Sequence, residues 1–298
     1  MGDGTAGAEG LFCFGLGYCA QSLAASLKRR GCKVAGTART PEAVSEVENS
    51  DTEVFCFDGK SPVGNMAAIL TRISHLLVSI PPDGDEDPVL THHRDQIAGC
   101  VGDGTLRWIG YLSTTGVYGD RQGAWIDETT PRSPTSDRAR FRSHAEQAWL
   151  SLAEDAHAPV HVFRLAGIYG PGRNQLAAVR VGKAHRVQKP GQVFSRIHVD
   201  DVTGVLTASM ARPRPGAVYN VCDDEPAPPE DVVTFAAQLA GVTPPPVVPF
   251  SDADLSAMAR SFYADNKRVS NDLIKKELGY ALKYPTYRDG LQAIAETL

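Results

Sequence analysis

Short apolar runs alternate, through the first half of the chain, with longer stretches in which apolar residues recur at helical spacing. This alternation is typical of a parallel sheet with crossover helices, so we predict an α/β doubly wound fold. Strands are expected at 11–14, 33–36, 53–57, 75–80, 106–112, 160–165 and 217–221, and helices at 20–30, 41–47, 134–153 and 202–210.

From about residue 167 the alternation loosens and Pro and Gly become frequent, as in Pro244-Pro245-Pro246. We therefore expect residues 11–166 to form a first domain, to which 195–222 returns. Residues 167–194 and 223–298 are expected to form a smaller C-terminal substrate lobe. The Gly-rich, polar residues 1–10 are expected to be a flexible N-terminus.

Composition narrows the class of protein. The chain has 298 residues, is 42% hydrophobic and carries a formal net charge of -5. No Lys/Arg cluster is interleaved with aromatic residues, which disfavours a nucleic-acid partner. The six cysteines lack Cys-x-x-Cys spacing and indicate reduced residues. Without a signal-peptide pattern or an apolar membrane span, we expect a cytoplasmic protein with no membrane partner.

The first strand is followed by Gly15-x-Gly17-x-x-Ala20 and a helical stretch. Glycine at the first position permits a tight turn, and at the second it lets the backbone approach a pyrophosphate at a helix N-terminus. By itself this motif is weak evidence, since glycines also mark ordinary turns. Together with the strand–helix alternation it predicts a dinucleotide-binding fold of the Rossmann type.

The end of the second strand bears on cofactor choice. An acidic side chain there, about 20 residues after the glycines, binds the ribose 2′-hydroxyl of NAD. This chain has Thr37 and Arg39 instead, which favours the 2′-phosphate of NADP over NAD. The alternative is that Arg39 is simply solvated. Asp58 could receive the adenine amino group, although Asp-Gly is also a common turn pair.

Four further segments carry a family resemblance. They are Leu112-Ser113-Thr114-Thr115-Gly116-Val117-Tyr118-Gly119, Ala145-Glu146-Gln147, Arg164 to Gly172, and Arg196-Ile197-His198-Val199-Asp200-Asp201-Val202. Their order and spacing resemble the extended short-chain dehydrogenase/reductase superfamily, the NAD-dependent epimerase/dehydratase group. Val78-Ser79-Ile80-Pro81-Pro82 and the Tyr284-Pro285-Thr286-Tyr287 tail look like an atypical branch of that superfamily.

The resemblance implies a site, which we state as expectations. The catalytic candidates are Thr114, Tyr118, Arg138 and Arg142. The cofactor-binding candidates are Gly15, Gly17, Tyr18, Cys19, Thr37, Arg39, Asp58, Ser79, Ile80, Pro81, Ser113, Arg142, Leu165 and Gly167. No metal is expected, because His92-His93 and the other histidines lack a metal-ligand spacing and are better explained as surface or core residues.

One departure from the family is prominent. Where extended members carry the catalytic Tyr-x-x-x-Lys, four residues before Glu146, this chain has Arg138 and Arg142. Arginine cannot exchange a proton at neutral pH, so the usual acid–base chemistry is lost. Arg142 could hold the nicotinamide ribose and Arg138 a substrate carboxylate or phosphate; alternatively both lie on a solvated helix face.

The proton donors that remain are individually weak candidates: Tyr118, Tyr169 and His198. Asp200-Asp201 is expected to cap the helix at 202–210. We expect an NADP-linked oxidoreductase or epimerase acting on a small, anionic or sugar-like substrate. The alternatives are a non-catalytic NADP-binding sensor and, more remotely, a methyltransferase with the same glycine turn. A homodimer is left open.

Overall fold

The protein is described by a computed structural model that covers residues 10–48 and 52–297. Seven strands form the central sheet: β1 Gly10–Phe14, β2 Lys33–Ala38, β3 Glu53–Cys56, β4 His75–Val78, β5 Trp108–Thr114, β7 Val160–Leu165 and β11 Ala217–Val221. Their order is β11-β7-β5-β4-β1-β2-β3. The pairs of β1 with β2 and β4, of β2 with β3, and of β4 with β5 are parallel. The fold class predicted from the sequence is confirmed.

The helices are α1 Tyr18–Lys28, α2 Pro41–Glu48, α3 Met66–Leu70, α4 Pro88–Gly102, α5 Asp137–Ala156, α6 Gln175–Arg180, α7 Val199–Ala211, α8 Pro229–Ala240, α9 Ala257–Phe262, α10 Asp272–Leu278 and α11 Tyr287–Ala295. A 3₁₀ helix spans Thr115–Tyr118. In the described part of the chain, no helix combines the length and apolar character needed to cross a membrane.

Three two-stranded sheets complete the fold. They pair β8 Gly167–Tyr169 with β10 Arg196–His198, β9 Arg186–Gln188 with β12 Val247–Pro249, and β6 Trp125–Ile126 with β13 Arg268–Val269. These strands have two or three residues each. Runs so short give no alternating pattern, which is why sequence reading did not place them.

The chain divides into two compact units. Unit 1 comprises Met1–Ser113, Arg140–Phe163 and Leu206–Val218, and unit 2 comprises Thr114–Ala139, Arg164–Val205 and Tyr219–Leu298. These limits differ from those expected, which kept 114–139 in the first domain and returned 195–222 to it. The physical reason is visible at β6, which lies in the 114–139 stretch and pairs with β13 of unit 2.

Each unit has its own apolar core. The core of unit 1 packs aromatic and aliphatic side chains of the sheet against α3, α4 and α5, including Phe12, Phe14, Leu76, Tyr111 and Trp149. In unit 2, the main cluster joins residues of α6, α8 and α11. Burial at about 25 cal/mol per Å² makes such cores the chief source of stability.

Two sequence expectations change at this level. The helix expected at 202–210 begins at Val199, so Asp200 and Asp201 lie in its first turn and do not cap it. Asp201 instead accepts hydrogen bonds from the backbone N–H groups of Lys283 (2.6 Å) and Tyr284 (3.1 Å), which ties the 283–284 segment to α7. The expected flexible N-terminus, 1–10, falls outside the described residues except for Gly10, the first residue of β1.

Candidate functional site

The glycine turn lies between β1 and α1, as the sequence predicted. Gly15 has a φ of 89°, and a Cβ added there would stand 2.5 Å from the Cγ2 atom of Ile80. Only glycine satisfies both the backbone conformation and that contact. At Gly17, which directly precedes α1, an added Cβ would meet no described atom within 4 Å. The backbone there faces open space at the positive end of a helix, the environment that binds pyrophosphate.

Two hydroxyl groups hold this turn. The N–H of Gly15 donates to Thr37 Oγ1 at 2.8 Å, and Ser79 Oγ donates to the carbonyl of Gly15 at 2.8 Å. Thr37 is 1% exposed. Its Oγ1 accepts a hydrogen bond and its hydroxyl hydrogen is left to donate, so a contact of Thr37 with a 2′-phosphate stays a prediction. The sequence could show that a hydroxyl stands at this position but not which neighbour uses it.

A cavity of about 720 Å³ opens beside the turn in unit 1. Among the expected cofactor residues it is lined by Gly15, Gly17, Thr37, Arg39, Asp58, Ser79, Ile80 and Pro81. Sequence reasoning missed further lining residues, such as Gln21, Glu46, Lys60 and Pro88. Exposed cations Arg39 and Lys60, a glycine cradle and a helix N-terminus together form a donor set that fits a dinucleotide.

Asp58 forms the Asp-Gly turn, which was one of the two interpretations of this residue. Its carboxylate accepts the backbone N–H of Lys60 at 2.9 Å, and Gly59 has a φ of 87°. Both Asp58 and Lys60 line the cavity. A contact of Asp58 with adenine stays a prediction.

Six expected cofactor residues are absent from the described lining of this cavity: Tyr18, Cys19, Ser113, Arg142, Leu165 and Gly167. Cys19 and Leu165 are buried. Ser113, also buried, donates through its hydroxyl to Glu146 Oε2 at 2.9 Å, which fastens β5 to α5. Gly167 is exposed.

Arg142 makes internal contacts in unit 1. Its guanidinium donates to the carbonyl of Leu112 at 2.7 Å and to that of Ile80 at 3.5 Å, and it lies 5.7 Å from the ring centre of Tyr111. Leu112 belongs to β5, and Ile80 follows β4 by two residues. Arg142 thus ties α5 to the carboxyl ends of two adjacent strands, and this structural use competes with the expected one at the nicotinamide ribose.

Thr114 precedes the 3₁₀ helix of unit 2, and Tyr118 is the last residue of that helix. Thr114 is half-buried, and its Oγ1 accepts the N–H of Gly116 at 3.1 Å, so the hydroxyl hydrogen is left to donate. Tyr118 is 0% exposed; its hydroxyl donates to Asn220 Oδ1 at 2.7 Å and accepts from Arg164 Nη1 at 2.8 Å. Burial raises the pKa of Tyr118 to about 12. Tyr118 is thus enclosed by Arg164 and Asn220, and its expected role as a proton donor stays a prediction.

The other candidate donors are also enclosed. Tyr169 is 7% exposed, and burial raises its pKa. His198 is 2% exposed; burial lowers its pKa to about 4, and its Nδ1 accepts the N–H of Asp200 at 3.1 Å. Arg138, by contrast, is exposed and reaches only the sulfur of Met258, at 3.9 Å, among described partners. Arg138 is thus the accessible member of the expected catalytic set, beside Thr114.

Comparison with known proteins relates part of the chain to a family. Residues 96–222 match the model of the NAD dependent epimerase/dehydratase family. A solved structure of a functionally unknown conserved protein from Silicibacter pomeroyi is 52% identical, covers 97% of this chain and 99% of its own, and superposes with a TM-score of 0.87. Protein YeeZ of Escherichia coli is 28% identical over 290 residues, 91% of this chain and 94% of YeeZ.

The fold is shared more widely. The structure of dTDP-glucose 4,6-dehydratase from Bacillus anthracis, solved in complex with NAD, is 18% identical, covers 97% of this chain and 96% of its own, and has a TM-score of 0.76. The family expected from the motifs is therefore confirmed. Residues 96–222 thus carry an NAD-dependent epimerase/dehydratase family domain, and the whole chain has the fold seen in the solved structures named above.

Proposed function

We propose that the cavity of unit 1 binds NADP in preference to NAD. The observation that carries this proposal is Arg39, which follows β2 directly and lines the cavity beside the glycine turn. No acidic residue stands at the end of β2, where Ala38, Arg39 and Thr40 follow one another. A guanidinium makes charge-assisted bonds to a phosphate, whereas a carboxylate there would repel it.

Titration calorimetry with NADPH and NADH tests this preference on the parent protein and on Arg39→Ala. The parent is expected to bind NADPH at least about tenfold more tightly, since a charge-assisted hydrogen bond contributes about 1.5–3 kcal/mol. Arg39→Ala should lose most of that difference while its affinity for NADH stays unchanged.

A matched control is Arg180→Ala, which removes an exposed guanidinium from α6 of unit 2 and should leave both affinities as they were. Equal affinity of the parent for NADPH and NADH would refute the preference. Weaker binding of both dinucleotides by Arg39→Ala would instead indicate a general structural defect.

We further infer an oxidoreductase or epimerase activity on a small, anionic or sugar-like substrate. The nicotinamide supplies the hydride donor or acceptor when the cofactor is bound. Thr114 retains a hydroxyl hydrogen that can donate to the reacting oxygen of a substrate. Arg138 offers an exposed, fixed positive charge for a carboxylate or phosphate. Neither group requires a tyrosine that gives up its proton.

The activity is tested by following NADPH absorbance with a panel of carbonyl and sugar substrates. Thr114→Ala should slow turnover by about tenfold or more, because it removes a hydrogen bond to developing charge. Thr114→Ser keeps the hydroxyl and should retain most of the rate. If NADPH is bound and no member of a broad panel is turned over, the catalytic proposal fails.

A non-catalytic NADP-binding sensor is the second candidate. It is favoured by the burial of Tyr118, by the contacts of Arg142 with backbone carbonyls, and by the absence of a Tyr-Lys pair at residues 138 and 142. A sensor should bind NADPH tightly, turn nothing over and change its association with a partner when the dinucleotide is added. Turnover that depends on Thr114 would exclude it.

A further inference from the structure

One wall of the cavity in unit 1 is a short loop after β3. Phe57, Gly59 and Lys60 line the cavity from this loop, and Pro88, the first residue of α4, lines it as well. Asp58 is turned back on the N–H of Lys60, so it forms no tie between the loop and the rest of the unit. The loop is held partly by Phe57 and Val63, which pack in the core of unit 1, and by the N–H of Phe57, which donates to the carbonyl of Ala38 at 2.9 Å. Two further ties come from side chains of α4.

The first tie is a buried histidine, His93, which is 1% exposed. Its Nε2 accepts the backbone N–H of Val63 at 3.1 Å, and its Nδ1 lies 2.8 Å from Oε1 of Gln96. Because a backbone N–H can only donate and a side-chain carbonyl oxygen can only accept, the hydrogen of the neutral ring is on Nδ1. His93 thus acts as an acceptor for the loop only while it is neutral.

The second tie is the preceding residue. Nε2 of His92 lies 2.9 Å from the carbonyl oxygen of Gly59, to which it donates. The two neighbouring histidines therefore form hydrogen bonds with the backbone at both ends of the stretch 59–63. His92 can hold its end whether or not it is protonated, since Nε2 carries a hydrogen in both forms.

We propose that His93 is a positioning residue for the dinucleotide cavity: in its neutral form it holds the 57–63 loop against α4, and its protonation releases Val63 and weakens binding of the dinucleotide. This proposal rests on the proposed function, because it assumes that the cavity binds NADP. In this proposal His93 positions the wall of the cavity formed by the loop, which neither the glycine turn nor Arg39 does.

The surroundings of His93 disfavour its charged form. β1 presents the ring of Phe14, 5.5 Å away between ring centres, and the loop presents Phe57 at 5.9 Å. On α4 itself the neighbours are Gln96 and His92, and His92 is the titratable group whose charge acts on His93 within the described chain. Burial lowers the pKa of His93; the hydrogen bond with Gln96 acts to raise this pKa, and the charge of His92 acts to lower it, with a net lowering.

The sign of the pH effect follows from that direction. With the loop in place the pKa of His93 lies below its ordinary value of about 6.5, and with the loop released it returns towards that value. The held loop is therefore fully favoured above about pH 6.5, and this preference is lost as the pH falls. Affinity for the dinucleotide should fall in the same window.

The test is a titration with NADP⁺, which survives acid better than the reduced form, from about pH 8 to pH 5. The parent, His93→Gln, His93→Phe and the exposed-site control His185→Gln are compared. The 2′-phosphate itself titrates near pH 6, and it does so with every variant. The ratio of each variant's Kd to that of the parent therefore isolates the contribution of His93.

The two substitutions distinguish the effect of removing the hydrogen-bond acceptor from the effect of protonating it. His93→Gln replaces the ring nitrogen with a carbonyl acceptor that does not titrate, so its affinity should approach the parent's near pH 8 and exceed it about tenfold near pH 5. His93→Phe keeps a ring between Phe14 and Phe57 but removes the acceptor. It should bind NADP⁺ about tenfold more weakly at every pH, with faster hydrogen exchange at the Val63 amide.

The outcomes are distinguishable. A constant ratio of His93→Gln to parent across the pH range overturns the proposal, even if His93→Phe does not fold. Parent-like binding by a folded His93→Phe overturns it too. If the parent itself binds neither NADP⁺ nor NAD⁺, the proposed function has failed, and Val63 exchange in the parent and in His93→Gln at the two pH extremes still reports whether protonation releases the loop.

Discussion

At the scale of single residues, the side chains that the motifs single out are used differently from what their types suggest. Thr37 was expected to face a phosphate, and in the structure its hydroxyl oxygen accepts a hydrogen bond from the N–H of Gly15. Tyr118 was expected near the chemistry, yet it is enclosed between Arg164 and Asn220. A sequence shows which polar atom is available at a position, but the partner depends on segments far away in the chain. The structure supplies the hydrogen-bond partners of these residues, and their roles towards cofactor and substrate stay predictions.

Thr37 gives a prediction at this scale. Thr37→Val keeps the shape of the side chain but leaves the N–H of Gly15, a partly buried residue, without its acceptor. The free energy of unfolding should fall by about 1–3 kcal/mol, and affinity for NADPH should fall as the glycine turn loosens. Urea denaturation and calorimetric titration measure the two effects.

Thr37→Ser is the matched control, because it restores the hydroxyl without the methyl group. It should recover most of the dinucleotide affinity. If Thr37→Val and the parent bind NADPH equally, the hydrogen bond does not position the turn.

At the scale of elements, the apolar pattern was sufficient to predict the strands of the central sheet but not sufficient to predict α4. The strands expected at 11–14, 160–165 and 217–221 agree with β1, β7 and β11 to within one residue. The face of α4 that packs inward consists of Val89, Leu90, His93 and Ile97. His93 stands at the centre of this face, where the helical spacing calls for an apolar residue. The apolar pattern alone therefore does not predict a helix.

Two histidines of α4 make contacts that no sequence motif records. The His92-His93 pair lacks a metal-ligand spacing, which favours a surface or core role. The structure gives the pair hydrogen bonds to the backbone of the cavity wall. The available sequence signal was indirect: two adjacent histidines between the apolar residues Leu90 and Ile97. Their partners could not be deduced, since Gly59 and Val63 are about 30 residues away in the chain.

At the scale of the whole molecule, the division into units was only partly foreseeable. The return of a later segment to the first unit was expected, and the structure places it at Leu206–Val218. The assignment of Thr114–Ala139 to unit 2 was not expected. It depends on pairing between two-residue strands, β6 and β13, and such pairs leave no periodic trace in the sequence.

The stability of the molecule should depend on acid through a buried histidine of unit 1. His161 is 0% exposed; its Nε2 accepts the N–H of Arg214 at 2.8 Å, and burial lowers its pKa to about 4. Since the unfolded value is about 6.5, its contribution is complete above that pH and is lost as the pH falls towards 4. The loss should amount to about 2–3 kcal/mol in the free energy of unfolding.

Urea denaturation at about pH 7 and about pH 5 measures this dependence. His161→Gln should narrow the difference between the two conditions, whereas the exposed-site variant His157→Gln should keep it. An equal difference in His161→Gln and in the parent would show that other groups cause the acid sensitivity.

Gly36 sets a limit on how the specificity of this protein can be redesigned. It lies in β2 opposite Cys13, and an added Cβ would stand 2.7 Å from the carbonyl of Cys13 and 2.8 Å from Leu16 Cγ. Any side chain at this position would push apart the two strands that carry the glycine turn and Arg39. An engineer who wishes to exchange one dinucleotide for the other must therefore leave Gly36 unchanged and substitute Arg39, which is exposed and lines the cavity.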